Sequence, residues 1–376
     1  MTDLGWPFYD GHHREVLDWA DDWCLANPVD HGDIDAECRR LVRSLGQVPL
    51  LQLLNPYSSS GYQVRSMALV RERLAYHSGL ADFAFAMQGL GLGPIVDSGS
   101  DEQKLAWGGA VSRGEAVAAF ALTEPETGSD AANIQMSARR DGGAWRLDGE
   151  KSYISNGPIA DFLTVFARTG EGEGAKGVSA FLVRGDDPNL SVAERIEVIA
   201  PHPLARLRFD GAGADLIGQP GEGFAIAMRT LNRFRVTVGA AALGFARRAL
   251  DEAVGFASAR RLGQGMLIDN AVTQAKLADM ALAVDSSMLL VARAAWQADQ
   301  GGADNRRAAA MAKLYATEEA QKVVDAAVQM HGGLGVTKGA RVEELYRDVR
   351  ALRIYEGASE VQRQIIARDL IKAHRA

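Results

Sequence analysis

Ala121-Leu122-Thr123-Glu124-Pro125-Glu126-Thr127-Gly128-Ser129-Asp130 is the most specific run in this 376-residue chain. Pro125 and Gly128 force a turn, and Thr123 and Ser129 carry hydroxyls. Backbone N–H groups released by such a turn would make a donor-rich rim suited to the polar edge of a heteroaromatic ring. A plain capped turn fits the same residues, and both readings stand at this level.

The texture of the chain changes on either side of that run. Residues 1–118 read as helical: Leu41, Leu45 and Val48 recur at helical spacing, as do Leu69, Arg73 and Tyr76. Phe83 to Leu92 reads as a short buried helix. Residues 119–225 shorten to period two. Trp145 and Leu147 alternate before an expected turn at Asp148-Gly149, Phe162, Thr164 and Phe166 alternate, and Val178 to Val183 is a compact apolar run. Glycine and proline cluster from Pro201 to Gly223 and read as turns and a linker. Residues 226–376 return to long helical stripes, Leu243, Ala246, Leu250, Val254 and Ala257 in one and Leu277, Met280, Val284 and Met288 in another. The fold class is therefore α+β, helical, then β, then a helical bundle.

Bulk properties exclude several function classes. Apolar residues make up 47% and charged residues 24%, as in ordinary globular proteins. A net charge of -7 and the lack of a Lys/Arg-rich run argue against nucleic acid. Cys24 and Cys38 lack metal spacing and fit reduced thiols in a reducing compartment. Asp3, Trp6, Pro7 and Asp10 form no signal-peptide pattern, and no apolar run reads as long enough to cross a bilayer, so a cytoplasmic protein without a membrane partner is expected. His12, His13, His31, His77, His202, His331 and His374 show no metal spacing, and no metal is expected.

Near the C-terminus, Arg353-Ile354-Tyr355-Glu356-Gly357-Ala358-Ser359-Glu360 places one carboxylate at a loop-to-helix corner. Such corners can aim a side chain into a cavity. Most glutamates are solvated surface charges, so position alone does not assign Glu356 a role.

Taken together, the motifs resemble the acyl-CoA dehydrogenase family of flavoproteins. The carriers are Thr123 to Asp130, Asp148-Gly149-Glu150-Lys151, Ser155-Asn156-Gly157, Lys276-Leu277-Ala278-Asp279-Met280, Gln329-Met330-His331-Gly332-Gly333 and Tyr355-Glu356-Gly357. They occur in the family's order over roughly residues 90 to 370, each weak alone and specific together. The resemblance implies an N-terminal helical domain, a central β-barrel-like domain and a C-terminal four-helix bundle, with FAD held between the β domain and the bundle. By matching positions, Phe120, Leu122 and Thr123 would line the flavin ring, with Gly128 and Ser129 beside the pyrophosphate and substrate. Tyr153 would lie against the isoalloxazine and Ser155 would supply a small hydroxyl. Arg260 would reach the pyrophosphate of a neighbouring subunit, Gln329, Gly332 and Gly333 would wrap the adenosine end, and Glu360 belongs to the same cofactor set. A cofactor site spanning subunits implies a homo-oligomer, dimer or tetramer.

The same resemblance makes Glu356 the catalytic base. It would take the α-proton of an acyl thioester while the β-hydride passes to flavin N5, forming an α,β double bond. Family members stabilise the enolate charge partly through the backbone N–H of the base residue. The alternative base position on the first bundle helix is Phe234, which cannot accept a proton. Asp82, Phe83, Ser129, Phe234, Arg235 and Gly357 fall on the substrate side. The bulky Phe83 and Phe234 favour a short, branched or cyclic acyl group. Ala81 stands where glutaryl-type members carry arginine, which counts against a dicarboxylate. Asp82 reads either as an exposed or helix-locally bonded charge, or as a second polar group facing the substrate.

Departures from the family pattern are Ala358 for threonine, Arg261-Leu262-Gly263-Gln264 without the usual phenylalanine, and Ala271 for glutamine. The Asn55-Pro56-Tyr57-Ser58-Ser59-Ser60-Gly61 loop and a Pro201–Asp215 segment without Arg-Ala-Ser are two more. CoA is the expected carrier, with an acyl-carrier protein as the alternative. An electron-transfer flavoprotein is the expected electron acceptor. Atypical flavin chemistry (1,4-desaturation or oxygen-using) and a degenerate scaffold homologue remain as other outcomes.

Overall fold

The computed structural model describes residues 4–57, 62–301 and 305–375. Asp3 and Ser58 to Gly61, which entered the sequence reading, lie outside the described residues. In chain order, five helices come first: α1 (His12–Ala26), α2 (Ile34–Leu45), α3 (Val64–His77), α4 (Gly79–Ser98) and α5 (Asp101–Ser112). Seven strands follow: β1 (Ala118–Ala121), β2 (Ser137–Asp141), β3 (Ala144–Ser155), β4 (Phe162–Arg168), β5 (Val178–Arg184), β6 (Leu190–Arg195) and β7 (Leu204–Ile217). Helix α6 (Gly223–Ala259), the short hairpin β8 (Arg261–Leu262) and β9 (Gly265–Met266), then α7 (Ala271–Asp299), α8 (Arg306–His331), α9 (Arg341–Arg350) and α10 (Ser359–Arg375) complete the chain. The expected order of helical, sheet and helical regions is what the structure has.

The chain packs as two compact units that interleave in sequence. One comprises Met1–Cys24, Gln63–Asp82 and Arg235–Ala376; the other comprises Leu25–Tyr62 and Phe83–Phe234. The second unit holds the seven-stranded sheet. Strand β4 pairs with β5 as well as with β1 and β2, so the path β4–β2–β3–β7–β5 returns to β4 and the sheet closes. Alternation along β4 divides two cores. Leu163, Val165 and Ala167 pack inside with Phe181, Leu207 and Phe209, while Phe162 and Phe166 pack with Leu92, Ile95 and Val96 of α4 and Ile226 of α6.

Three sequence expectations need correction here. The Pro201–Gly223 segment is not a linker, because β7 occupies Leu204–Ile217 and pairs with β3, β5 and β6. Its glycines misled: Gly211 (φ +78) is the extra residue of a bulge opposite Leu147 and Asp148, so it bends the strand without ending it. Asp148-Gly149 is not a turn either, since β3 runs through it from Ala144 to Ser155. Finally, α4 is longer than the Phe83–Leu92 segment. Its 20 residues are apolar enough by length and composition to span a membrane, and 89% of the apolar window is buried within the protein. Such burial marks a core helix. Minor differences also occur: α2 stops at Leu45 before Gly46, leaving Val48 outside it, and Val254 of α6 is exposed.

The first unit is a set of packed helices. α8 packs against α7, α9 and α10, and α3 against α7. Gly244 of α6 lets the helix approach α3 closely, because a Cβ there would sit 2.2 Å from the Glu72 carbonyl oxygen. In the first turn of α1, His13 is fully buried, and its Nδ1 accepts from the Asp10 N–H at 2.9 Å. Burial holds its imidazole down at about 4 against an ordinary 6.5. Between those two values the unfolded chain binds the extra proton and the folded chain does not, so stability falls as pH drops from 6.5 towards 4. The urea midpoint is therefore expected to decline between pH 7 and pH 5, and His13→Phe to flatten that decline.

Candidate active site

Glu356 sits in the left-handed region (φ +51), followed by Gly357 (φ +91), between the short 3-10 segment Ala351–Arg353 and α10. A glutamate in that conformation costs about 1–3 kcal/mol and persists only where its surroundings enforce it. Here three successive carbonyls are tied down. Lys313 of α8, fully buried, donates Nζ to the Tyr355 oxygen at 3.1 Å and the Gly357 oxygen at 2.7 Å. Gln362 Nε2 donates to the Gly357 oxygen at 2.7 Å and to the Glu356 oxygen at 3.4 Å. A side chain at Gly357 would bring Cβ within 2.6 Å of that Nε2. Glu318 fixes both flanks, accepting from Ser359 Oγ at 2.5 Å and pairing with Arg353 at 2.8 Å. With its backbone held, the Glu356 side chain turns inward, and its Oε2 is buried with no hydrogen-bond partner among the described residues.

Four helices bring charge around that carboxylate. Arg71 of α3 and Asp82 of α4 form a buried two-pronged ion pair, Nε to Oδ1 at 2.7 Å and Nη2 to Oδ2 at 2.8 Å. Arg71 Nη1 donates to Thr237 Oγ1 of α6 at 3.0 Å. Two residues before Thr237, buried Arg235 approaches the position a Gly357 Cβ would occupy to 3.8 Å. Burial pushes the Glu356 carboxyl above the usual carboxylate range; Arg71, Lys313 and Arg235 pull it down, and Asp82 adds to the rise. Burial likewise holds Lys313 down at about 8, against the pull of Glu356. Burial opposes the charge on Arg71, but Asp82 outweighs it and holds the guanidinium above its ordinary value. Asp82 is thus neither exposed nor bonded within its own helix, which corrects the simpler of the two sequence expectations.

The Thr123–Asp130 run lies in the sheet unit, and its shape comes from a buried pair. Glu124 and Thr127 exchange backbone hydrogen bonds across the turn at 3.0 and 3.2 Å. The Glu124 carboxylate accepts from the N–H groups of Gln135 (2.6 Å) and Met136 (2.9 Å) and from Lys151 Nζ (2.9 Å). Lys151 also donates to the Leu122 oxygen at 2.9 Å, and the Ser152 N–H to the Thr123 oxygen at 2.9 Å. Burial holds Lys151 down at about 8. Leu122 is buried, Thr123 half-buried, and Gly128 and Ser129 exposed. Phe120 meets Phe166 as a tilted ring pair, 5.0 Å between ring centres. Tyr153 stands out: it occupies the left-handed region (φ +55) at a bulge of β3, with 63% of its surface exposed. Strain and exposure together mark a ring held out for contact. Ser155 closes the strand, half-buried.

Phe83 and Phe234 also belong to the sheet unit. Phe234 is buried and packs so closely on Gly89 that a Cβ there would meet its ring at 2.3 Å. Phe83 and His202 form a tilted ring pair with centres 4.3 Å apart, and burial pushes the His202 imidazole below its ordinary value. In the helical unit, Arg260, Gln329, Gly332, Gly333 and Glu360 are all exposed, and Gly332 has φ +59. His331 stacks on Phe256 at 4.2 Å, which accords with a packing role.

Sequence reasoning missed Arg71, Thr237 and Lys313, and quoted Glu124 and Lys151 without a role. Charged residues in otherwise apolar helical stripes were the available signal for Arg71 and Lys313. It also missed that Asp10, His12 and His13 bring ligand atoms within 4.8 Å of one another. Arg65 Nη1 lies 2.7 Å from Asp10 Oδ2 and already supplies positive charge there.

Residues 119–212 match the acyl-CoA dehydrogenase middle domain, and residues 221–371 match the acyl-CoA dehydrogenase C-terminal domain. The chain belongs to the acyl-CoA dehydrogenase family. A 3-(aryl)acrylate reductase of Clostridium sporogenes is 36% identical over 378 residues, covering 97% of this chain and all of that one. The mitochondrial short-chain specific acyl-CoA dehydrogenase of Bos taurus is 38% identical, covering 89% of this chain and 83% of its own. Among solved structures, butyryl-CoA dehydrogenase from Megasphaera elsdenii has a TM-score of 0.87 at 29% identity, covering 96% and 98% of the two chains. As an acyl-CoA dehydrogenase family member the chain is an oxidoreductase acting on CH–CH bonds, and the family is FAD-dependent. The residues present fit that cofactor. The turn is held at Leu122, Thr123, Glu124 and Thr127, Tyr153 offers an exposed ring on a strained backbone, and a Cβ at Gly128, Gly332 or Gly333 would meet nothing within 4 Å.

Proposed function

We propose that this chain introduces an α,β double bond into a short, branched or cyclic acyl thioester, with Glu356 as the base that takes the α-proton. The observation that carries this reading is the buried, unpartnered Glu356 Oε2 on a backbone corner locked by Lys313 and Gln362. A carboxylate with a raised proton affinity and one buried oxygen that no donor occupies is ready to accept a proton. Arg71, Lys313 and Arg235 pull against that rise and favour the ionised form that accepts the proton. The Glu356 N–H is read as a donor to the thioester carbonyl, stabilising enolate charge. FAD, when bound, supplies the hydride acceptor; Phe120, Leu122, Thr123, Gly128, Ser129, Tyr153 and Ser155 would hold it in the sheet unit. Arg260, Gln329, Gly332, Gly333 and Glu360 would serve the cofactor's phosphate and adenosine end in a homo-oligomer. CoA is the proposed carrier and an electron-transfer flavoprotein the proposed acceptor.

A second reading, saturation of an aryl-substituted α,β-unsaturated acyl group, is favoured by the aromatic Phe83–His202 ring pair. Both readings concern the same bond and predict the same pocket walls, Phe83 and Phe234. Anaerobic mixing of the yellow holoenzyme with a panel of acyl-CoAs tests them. Bleaching by butyryl-, isobutyryl-, cyclohexanecarbonyl- or 3-phenylpropionyl-CoA, and little by palmitoyl-CoA, is expected. Reoxidation of the reduced enzyme by cinnamoyl-CoA alone, without bleaching by any saturated ester, would favour the second reading. A flavin-loaded protein that responds to none of these contradicts both.

A further inference from the structure

We infer that Asp82 is a positioning residue for the base: its two-pronged grip on Arg71 keeps that guanidinium off Glu356, leaving the carboxylate free to take a proton. This inference rests on the proposed role of Glu356. The geometry is unusual for a buried acid. Glu356 lies in a cluster with three cations, Arg71 from α3, Arg235 from α6 and Lys313 from α8, yet its Oε2 bonds to none of them. Lys313 is spent on the backbone carbonyls of Tyr355 and Gly357. Arg71 is spent on Asp82 and Thr237, through three different nitrogens. A fork held at Nε and Nη2 by one carboxylate and at Nη1 by a hydroxyl cannot swing.

Removing Asp82 changes the balance sharply. Glu356 would then be the carboxylate that acts on all three cations, Arg71, Arg235 and Lys313, with Glu318 and Glu360 acting on Lys313 and the Tyr355 hydroxyl and Asp348 further out. A buried guanidinium without its partner is costly, and Glu356 is the remaining carboxylate that faces it. An arginine-paired carboxylate is a weaker base because its charged form is stabilised. Neutral Asp82 would therefore disarm Glu356 without touching it. Sequence comparison alone would have treated Asp82 as a wall residue or a substrate contact.

The test uses the FAD-loaded enzyme with the best acyl-CoA found above. Asp82→Asn is expected to lower kcat about tenfold or more with KM little changed, and to move the acidic limb of the pH profile to lower pH. Arg71→Gln, with Asp82 intact, is expected to move that limb to higher pH. The double variant Arg71→Gln/Asp82→Asn is expected to recover most of the lost kcat. A carboxyl infrared titration, with the Glu356 band assigned by its loss in Glu356→Gln, reads the same shifts without turnover. If the bands shift as expected while Glu356→Gln stays active, the dyad's role stands and the assignment of the base fails. An unchanged acidic limb and band in Asp82→Asn, or a double variant no better than the single one, overturns the inference. So does a change confined to acyl-group preference, which would make Asp82 a substrate contact instead.

Discussion

Glu356→Gln is expected to lower turnover about 100- to 10,000-fold, the range over which a positioned general base contributes. Glutamine keeps the shape and the backbone corner but cannot take a proton. FAD content should be unchanged, because the proposed cofactor contacts lie elsewhere. Stability should hold or rise. Burial raises the Glu356 carboxyl above its unfolded value, so at neutral pH the ionised group is a burden on the folded state that the amide removes. A large loss of activity with an equal or higher melting temperature separates a chemical role from a structural one. Loss of both would mean the corner itself depends on the charge.

Lys313→Met is expected to have the second-largest effect, about 100-fold on kcat, through geometry. The ammonium joins the carbonyls on either side of Glu356, and without it the Tyr355 carbonyl loses that donor while the Gly357 carbonyl keeps Gln362. The strained left-handed corner would relax, and the carboxylate would drift from its aim. Global stability should change far less. Two lost hydrogen bonds to a cation cost about 1.5–3 kcal/mol each. Against this, burial holds Lys313 at about 8, some two and a half units below an ordinary lysine, a burden of roughly 3 kcal/mol at pH 7 that methionine relieves. That burden lightens as pH rises from 8 towards 10.5, because the unfolded chain then binds the proton that the folded one lacks. Wild type should therefore gain stability over that window, and Lys313→Met should gain less. Steady-state kinetics and chemical denaturation at pH 7 and 9.5 check both parts.

Much of the fold was legible because its signals are local. Period-two alternation at Phe162, Thr164 and Phe166 and helical stripes such as Met280, Val284 and Met288 need no tertiary knowledge. The failures were also physical. Gly211, at a bulge (φ +78), and Gly149, paired with Phe209 at φ +142, sit inside long strands in backbone conformations that favour glycine, and from sequence such glycines look like strand ends. Helix α4 reads as short because Asp82 interrupts its apolar run, and Asp82 is tolerated only because Arg71, on a different helix, neutralises it. The site divided in the same way. Glu356 could be found from the Tyr355-Glu356-Gly357 motif, whereas the groups that set its charge and aim could not. Arg71, Thr237 and Lys313 lie on three separate helices, and their convergence is a property of packing. Tyr153 is an intermediate case: its place was read from the motif order, but its strained, outward backbone was not.

The most direct measurement is the anaerobic single-turnover reduction of the FAD-loaded enzyme by a short-chain acyl-CoA, wild type against Glu356→Gln, followed at the flavin's visible band. Rapid bleaching in wild type and none above background in Glu356→Gln, with equal flavin content, is the predicted result. Bleaching of Glu356→Gln at a rate near that of wild type would contradict the assignment of Glu356 as the base.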